Sequence, residues 1–173
     1  IVRRLVGSEM CIRDSTIRPD ASSGPVYETP PLEEDLYFGG LPRLHVNVNT
    51  ATVGGQIYAL LEDCDGANCI HIGHAIMDLR YHAGGDDEQT WTPVFEEITA
   101  LMEFFPMDVE VPAGHTIKLT LRSTGEDYLP SAASTLVTVV DAGSTLQLDT
   151  FDPETREYYE TVMCTAQICK DNL

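Results

Sequence analysis

The chain has 173 residues, of which 28 are acidic and 10 are basic, so its formal net charge at pH 7 is −18. A surface this acidic repels nucleic-acid phosphates and anionic membranes, which argues against both as partners. The length suits one domain with a single core, and no apolar run approaches the ~20 residues that a membrane-spanning helix requires.

The chain begins with a segment that shows no hydrophobic periodicity, no helix-capping signature and no signal-peptide core. Its residues 6–15, VGSEMCIRDS, resemble a linker-derived string that occurs, in translation, in front of unrelated proteins. We therefore interpret residues 1–15 as a processing scar, with a genuine disordered arm as the alternative. Residues 16–27 follow as a linker, because this part of the chain is rich in proline, serine and acidic residues.

Short strand-like runs separated by turn signals follow in the central part of the chain. Apolar and polar residues alternate in LHVNVN and again in HTIKLTLRS, which is typical of half-buried strands. CIHIGHAIMDLRYH predicts a longer strand that is bent or bulged at Gly73. Near the end, STLVTVV and STLQLDT predict two strands that meet at a turn, Asp141-Ala142-Gly143.

One central segment is ambiguous, since FEEITALMEFF (residues 95–105) is compatible with a helix or with a strand. The many short strands and frequent turns predict an antiparallel β-sandwich over residues 28–150. Residues 151–173 depart from this pattern and are interpreted as a C-terminal extension.

Four cysteines form two local pairs with the same spacing, Cys64 with Cys69 and Cys164 with Cys169, whereas Cys11 lies in the leader. Paired spacing favours disulfides and an oxidising compartment, either extracellular or periplasmic. Free thiols and a four-cysteine zinc site are the alternatives. The zinc site fits less well, because such sites usually pair cysteines about two to four residues apart.

The sequence contains neither a G-x-S-x-G nucleophile elbow nor a glycine-rich phosphate loop, so no catalytic, cofactor-binding or metal-binding residue is predicted. His71 and His74 should point to opposite faces of a strand, and we expect them to be unrelated unless a bulge intervenes. We expect the His115 ring to hydrogen-bond the neighbouring backbone at a turn. Trp91, Tyr81 and Tyr128 would make a sugar platform if they converged, but scattered aromatic residues usually belong to a core or its rim.

Three segments agree in order and spacing with one known domain. VPAGHTIKLTLRS carries Pro112, Ala113, Gly114, His115 and Ser123; PPLEEDLYFGGLPRLHVNV precedes it, and between them a hairpin segment turns at an Asp-Gly pair. Together they resemble the C-terminal domain of X-prolyl dipeptidyl peptidases and cocaine esterase-like hydrolases. The resemblance covers residues 28–150.

That resemblance implies a jelly-roll β-sandwich of the galactose-binding-like type, packed against an upstream α/β-hydrolase domain that holds the Ser-His-acid triad. It implies a non-catalytic domain of a truncated serine hydrolase, of dipeptidyl-peptidase or esterase type. Such a domain would shape the substrate cleft and support domain packing or a homo-oligomer. No residue matches a triad member, so the chain alone is expected to be inactive and to need no cofactor.

The sequence also departs from that family. After Ser123 it continues as TGEDYLPSAAST, which differs from the usual family pattern, and the cysteine pairs are not family features. The alternative function is a stand-alone carbohydrate-binding or purely structural jelly-roll module, because a jelly roll does not determine a function.

Overall fold

The computed structural model describes residues 15–17, 24–82, 92–125, 128, 136–155 and 158–165. A short 3-10 helix, Leu79–Tyr81, follows the fifth strand. The strands of the described residues are β1 (Ser15–Ile17), β2 (Val26–Glu28), β3 (Leu36–Thr50), β4 (Gln56–Asp65), β5 (Asn68–Asp78), β6 (Glu97–Glu103), β7 (Met107–Val111), β8 (Thr116–Arg122), β9 (Val137–Phe151) and β10 (Tyr158–Thr165).

The strands form two antiparallel sheets. One contains β1, β9, β3 and β6 in that order, with β10 also paired to β9 and β7 to β3; the other has the order β2-β8-β4-β5. Apolar side chains from both sheets share a single core, for example Val46 and Val48 from the first and Ile57 and Leu121 from the second. The predicted antiparallel β-sandwich is therefore confirmed, and the jelly-roll subtype stays a prediction.

Strict alternation correctly predicted the faces of the central strands. Leu44, Val46 and Val48 are buried in β3, whereas His45 and Asn47 between them are partly exposed. This follows from the strand geometry, in which successive side chains point to opposite faces. The described residues include no helix long and apolar enough to cross a membrane.

The ambiguous segment 95–105 is a strand over most of its length. Ile98, Ala100 and Met102 of β6 are buried, and the residues between them are exposed. β6 pairs with β3 along its whole length. This pairing makes the segment a strand, although its apolar residues also lie near helical spacing. Phe95 precedes the strand and is 78% exposed, so it does not belong to the core.

The predicted turn at Asp141-Ala142-Gly143 is wrong, because β9 runs through it as one strand. The register with β3 shifts here, and residues 141–144 bulge out from the ladder. Gly143 supplies the left-handed backbone conformation, with φ of 80°. The Asn47 side chain donates to the Ala142 carbonyl (2.9 Å), and the Ser144 hydroxyl donates to the Val140 carbonyl (2.7 Å). Side chains thus bond carbonyls within and beside the bulge.

The ends of the described chain also enter the sheets. β1 pairs with β9, β2 pairs with β8, and β10 pairs with β9. The backbone around the expected linker, residues 16–27, and part of the expected extension, residues 151–173, therefore contribute strands. The division of the chain into leader, linker, sandwich and extension stays a prediction.

Candidate functional site

The two histidines of β5 lie side by side. Leu61 pairs with Gly73 and Glu62 pairs with His71, so Ile72 is an extra residue on β5. A bulge of this kind resets the alternation of the strand, and it places His71 and His74 on the same face. His71 Nε2 lies 3.3 Å from His74 Nδ1. The expectation that the two histidines are unrelated is therefore wrong, because a bulge intervenes beside Gly73, where the sequence predicted an irregularity.

Aromatic rings surround this pair. The Tyr58 ring stacks on the His74 ring at 5.4 Å between centroids, and the Phe105 ring meets it edge-on at 5.6 Å. The Tyr128 ring also contacts it edge-on at 5.6 Å, and the Tyr128 hydroxyl lies 3.1 Å from His74 Nε2. We call these five residues, Tyr58, His71, His74, Phe105 and Tyr128, the aromatic cluster.

The aromatic cluster is buried on one side and open on the other. Tyr58 is only 7% exposed, and Gly125 packs so closely on its ring that a Cβ atom would not fit. Phe105 is 63% exposed, and His71 is also exposed. The cluster therefore presents imidazole nitrogens and one aromatic face to solvent on a firmly packed base. Such a surface can bind a metal ion, a sugar or an apolar partner.

The predicted sugar platform differs from this arrangement. Tyr128 belongs to the aromatic cluster, and Tyr81 ends the 3-10 helix that follows β5. Trp91 lies outside the described residues. Sequence reasoning missed Tyr58 and Phe105, because neither lies near the two histidines in the sequence. The signal that could have found the pair was Gly73, which predicted an irregularity in β5.

A second polar group lies at the far end of the β4–β5 hairpin. The His115 ring nitrogen Nδ1 lies 2.8 Å from Asp63 Oδ1, across the two neighbouring strands. The expectation that this ring bonds the neighbouring backbone is wrong, because the register of β4 and β8 brings the carboxylate within reach. Beside it, Lys118 forms an ion pair with Glu62 at 2.9 Å.

The motif before β8 is a tight turn that other segments hold in place. Gly114 has φ of 87°, and the backbone N–H of Ala113 donates to the Asp35 carboxylate at 2.8 Å. The N–H of His115 donates to the Pro112 carbonyl at 3.1 Å. Ser123 is buried just after β8. These contacts hold the turn in its shape. That these residues form a motif of the family they resemble stays a prediction.

One cysteine pair is a disulfide in the structure. Cys64 and Cys69 face each other across the β4–β5 hairpin and are bonded. The Lys118 ammonium lies 3.0 Å from the Cys69 sulfur. Cys164 lies in β10, and Cys169 is outside the described residues, so their disulfide stays a prediction. The disulfide that is present indicates an oxidising compartment.

Two further polar pairs contain a group whose pKa is shifted. Burial, together with the hydrogen bond to Asp141, raises the pKa of Tyr27 far above its usual range. At Asp78, burial raises the pKa, but the hydrogen bonds from Arg80 outweigh it and the net effect lowers the pKa. Arg80 Nε lies 3.0 Å from Asp78 Oδ1. Asp78 also caps the 3-10 helix, so this pair is a structural device.

The described part of the chain contains no group of three or more histidine, cysteine, aspartate or glutamate residues that could hold a metal ion. His82 Nδ1 contacts the Leu79 carbonyl, His115 contacts Asp63, and His74 contacts His71 and Tyr128. None of these contacts joins a histidine to a serine hydroxyl or a cysteine thiol, which is the pairing that activates a nucleophile in acyl transfer.

Comparison with known families gives a match over most of the chain. Residues 6–160 match the family model described as the X-Pro dipeptidyl-peptidase C-terminal non-catalytic domain. No curated protein matches the chain.

Solved structures share the fold at low sequence identity. An aminopeptidase from the marine sediment archaeon Thaumarchaeota archaeon has a TM-score of 0.69 at 10% identity, covering 86% of this chain and 34% of its own. A CocE/NonD family hydrolase from Staphylococcus aureus has a TM-score of 0.70 at 9% identity, covering 84% of this chain and 34% of its own. An alpha-amino acid ester hydrolase has a TM-score of 0.64 at 15% identity, covering 84% and 27%. The chain thus spans 27–34% of the length of these proteins.

Proposed function

We propose a function from one premise, which is that this chain belongs to the family of X-Pro dipeptidyl-peptidase C-terminal non-catalytic domains. The chain is accordingly a non-catalytic β-sandwich domain of a hydrolase family. We infer that it acts beside a separate α/β-hydrolase domain that carries the serine, histidine and acid. In that arrangement the sandwich forms one wall of the substrate cleft and limits which substrates reach the nucleophile.

The family match over residues 6–160 is the observation that carries this proposal. The fold neighbours support it, because each is a hydrolase or peptidase of which the matching part makes up only 27–34%. The close polar contacts of the histidine rings agree, since in those described above a ring nitrogen meets a phenol, a carboxylate, a carbonyl or a second imidazole. These contacts suit a binding or packing role rather than acyl transfer.

The finer parts of the proposal rest on the family and on the disulfide. The partner domain would cleave dipeptides from proline-containing peptides or hydrolyse esters. The Cys64–Cys69 disulfide supports an extracellular or periplasmic location. The jelly-roll subtype and a homo-oligomer built through apolar faces belong to the same proposal, as the family resemblance implies them.

A direct test measures the activity of this chain alone and then searches the gene for the partner domain. The purified chain is assayed with an Xaa-Pro p-nitroanilide and with a short-chain p-nitrophenyl ester, and we expect rates equal to those of buffer. Reading the genomic DNA upstream of the codon for Thr16 should then reveal a continuous frame that encodes a G-x-S-x-G elbow. Hydrolysis by the purified chain, or a start codon directly upstream of Thr16, would contradict the proposal.

The open aromatic surface favours carbohydrate binding as a second candidate. Phe105 is 63% exposed and lies beside the His74 ring, so it offers an apolar ring face next to a hydrogen-bonding imidazole, which are the two features that a sugar ring requires. Affinity electrophoresis through immobilised glycans tests this function. Saturable retardation that is lost in Phe105→Ala and kept in Phe95→Ala, where a ring that is 78% exposed lies elsewhere, would favour the binding module over the hydrolase domain.

A further inference from the structure

We propose that His71 and His74 form a binding site for a divalent ion of the late first transition row, with zinc and copper as the leading candidates. The two imidazole nitrogens would be the protein ligands, and water would complete the coordination. This site does not depend on the proposed hydrolase function, because it rests on the geometry of the aromatic cluster alone.

The distance between the two facing nitrogens fits one shared metal ion. His71 Nε2 and His74 Nδ1 are 3.3 Å apart. Two nitrogens that each lie about 2.0–2.1 Å from a tetrahedral zinc ion are about 3.3–3.4 Å from one another. A metal ion could thus take the place of the proton that lies between His71 Nε2 and His74 Nδ1, with little movement of either nitrogen. The His71 ring then carries its proton on Nδ1.

The Tyr128 hydroxyl prepares His74 for this role. It lies 3.1 Å from His74 Nε2, the ring nitrogen that faces away from His71. When Nε2 carries the proton and donates it to the Tyr128 oxygen, the Nδ1 lone pair points towards His71. Histidine ligands of metal ions usually make such a bond through their second nitrogen, which fixes the tautomer and the ring orientation.

Packing also reduces the conformational cost of binding. The Tyr58 ring stacks on the His74 ring with an interplanar angle of 23°, and Phe105 meets its edge. The His74 ring is therefore held in place before an ion arrives. His71 is exposed, so an ion and its waters have access from solvent. A ligand that is already oriented loses less side-chain entropy on binding.

The donor set predicts selectivity among cations. A net charge of −18 attracts every cation to the surface, but carboxylate oxygens favour calcium and magnesium. Imidazole nitrogens favour zinc, copper and nickel, with copper strongest in the usual order of affinities. A specific two-histidine site therefore binds zinc and copper in the presence of excess magnesium, whereas charge attraction alone does not.

The proposal is tested with the untagged full chain in millimolar magnesium. Zinc is titrated against a chromophoric chelator, and we expect one ion per chain. His71→Asn and His74→Asn should each lower the affinity at least 10-fold. His45→Asn is the matched control, because His45 lies on the outer side of the other sheet and should leave the affinity unchanged. Equal affinity in the wild type, His71→Asn and His74→Asn would overturn the proposal.

A second variant and a spectroscopic signature separate ligands from residues that only support them. Tyr128→Phe should weaken zinc binding by about 10-fold or more, because it removes the bond that orients His74. Electron paramagnetic resonance of the copper-loaded wild type should show coupling to two nitrogens, and this measurement needs no variant. A copper spectrum without nitrogen coupling would refute the site.

Discussion

One hydrogen bond between the two sheets offers the sharpest test of the packing. Tyr27 belongs to β2 of the four-stranded sheet, and Asp141 belongs to β9 of the six-stranded sheet. The Tyr27 hydroxyl donates to Asp141 Oδ1 at 2.7 Å, and Asp141 is 8% exposed. Replacing Tyr27 by phenylalanine removes the donor and keeps the ring in its contact with the core.

We expect Tyr27→Phe to lower the free energy of unfolding at pH 7. A hydrogen bond to a charged group contributes about 1.5–3 kcal/mol, and Tyr27 is only partly buried, so a loss of about 2 kcal/mol is the expected size. The change is measured by urea unfolding followed by far-UV circular dichroism. Tyr37→Phe is the matched control, because its hydroxyl makes an exposed bond to Glu110 at 3.0 Å and its loss should change stability little.

The pH dependence gives a second, independent signature. Burial and the bond to Asp141 raise the pKa of Tyr27 in the folded chain, whereas an unfolded tyrosine loses its proton near a pH of about 10. Above that pH the folded chain keeps a proton that the unfolded chain releases. The stabilisation from Tyr27 is thus complete below a pH of about 10 and declines above it, by at most ~1.4 kcal/mol per pH unit.

The two signatures together can refute the reasoning. Tyr27→Phe lacks this titration, so the difference in stability between wild type and variant should shrink above pH ~10 and close near pH ~11.5. A difference that stays constant from neutral to alkaline pH would mean that Tyr27 is not protected from ionisation in the folded chain. A variant as stable as the wild type at pH 7 would mean that the bond to Asp141 does not hold the sheets together.

Two further predictions concern stability. Replacing Cys64 and Cys69 by serine should cost about 2 kcal/mol, because this disulfide closes only a short loop in the unfolded chain, and urea unfolding of the double variant measures the loss. A loss above about 4 kcal/mol would contradict the loop-closure account. Phe38 is 0% exposed, so Phe38→Ala should cost about 3–5 kcal/mol, whereas Phe105→Ala, at 63% exposure, should stay within about 0.5 kcal/mol. Equal thermal shifts for the last two variants would refute this placement of the core.

The regular strands were predictable because their signal is local. In β3, the alternation of Val46 and Val48 with polar neighbours determines which face is buried, whatever the partner strand. The segment around Ile98 could not be decided in the same way, because its apolar residues fit two periods over a short length. It forms a strand because it pairs with β3, which lies about 50 residues earlier in the chain.

Bulges were harder to predict because a glycine and small polar residues are typical of both a turn and a bulge. At residues 141–143 the choice depends on Asn47, whose side chain bonds the Ala142 carbonyl from a distant strand. The residues around the bulge do not indicate that Asn47 is their partner. At Gly73 the irregularity itself was predicted, but its effect on the neighbouring histidines depends on which single residue is extra.

Both candidate interactions of this chain arise at such irregularities. The extra residue Ile72 brings His71 beside His74, and Asp141, which meets Tyr27, begins the bulge of β9. A one-residue change in register moves side chains to the other face of a strand, so a regular ladder in β5 would separate the two histidines, whereas Asp141 lies on the same buried face as Val137 and Val139 just before the bulge. The Tyr27→Phe experiment therefore also tests the face of β9 on which Asp141 lies. If Asp141 pointed away from the four-stranded sheet, the variant would be as stable as the wild type, and the two would show the same dependence of stability on alkaline pH.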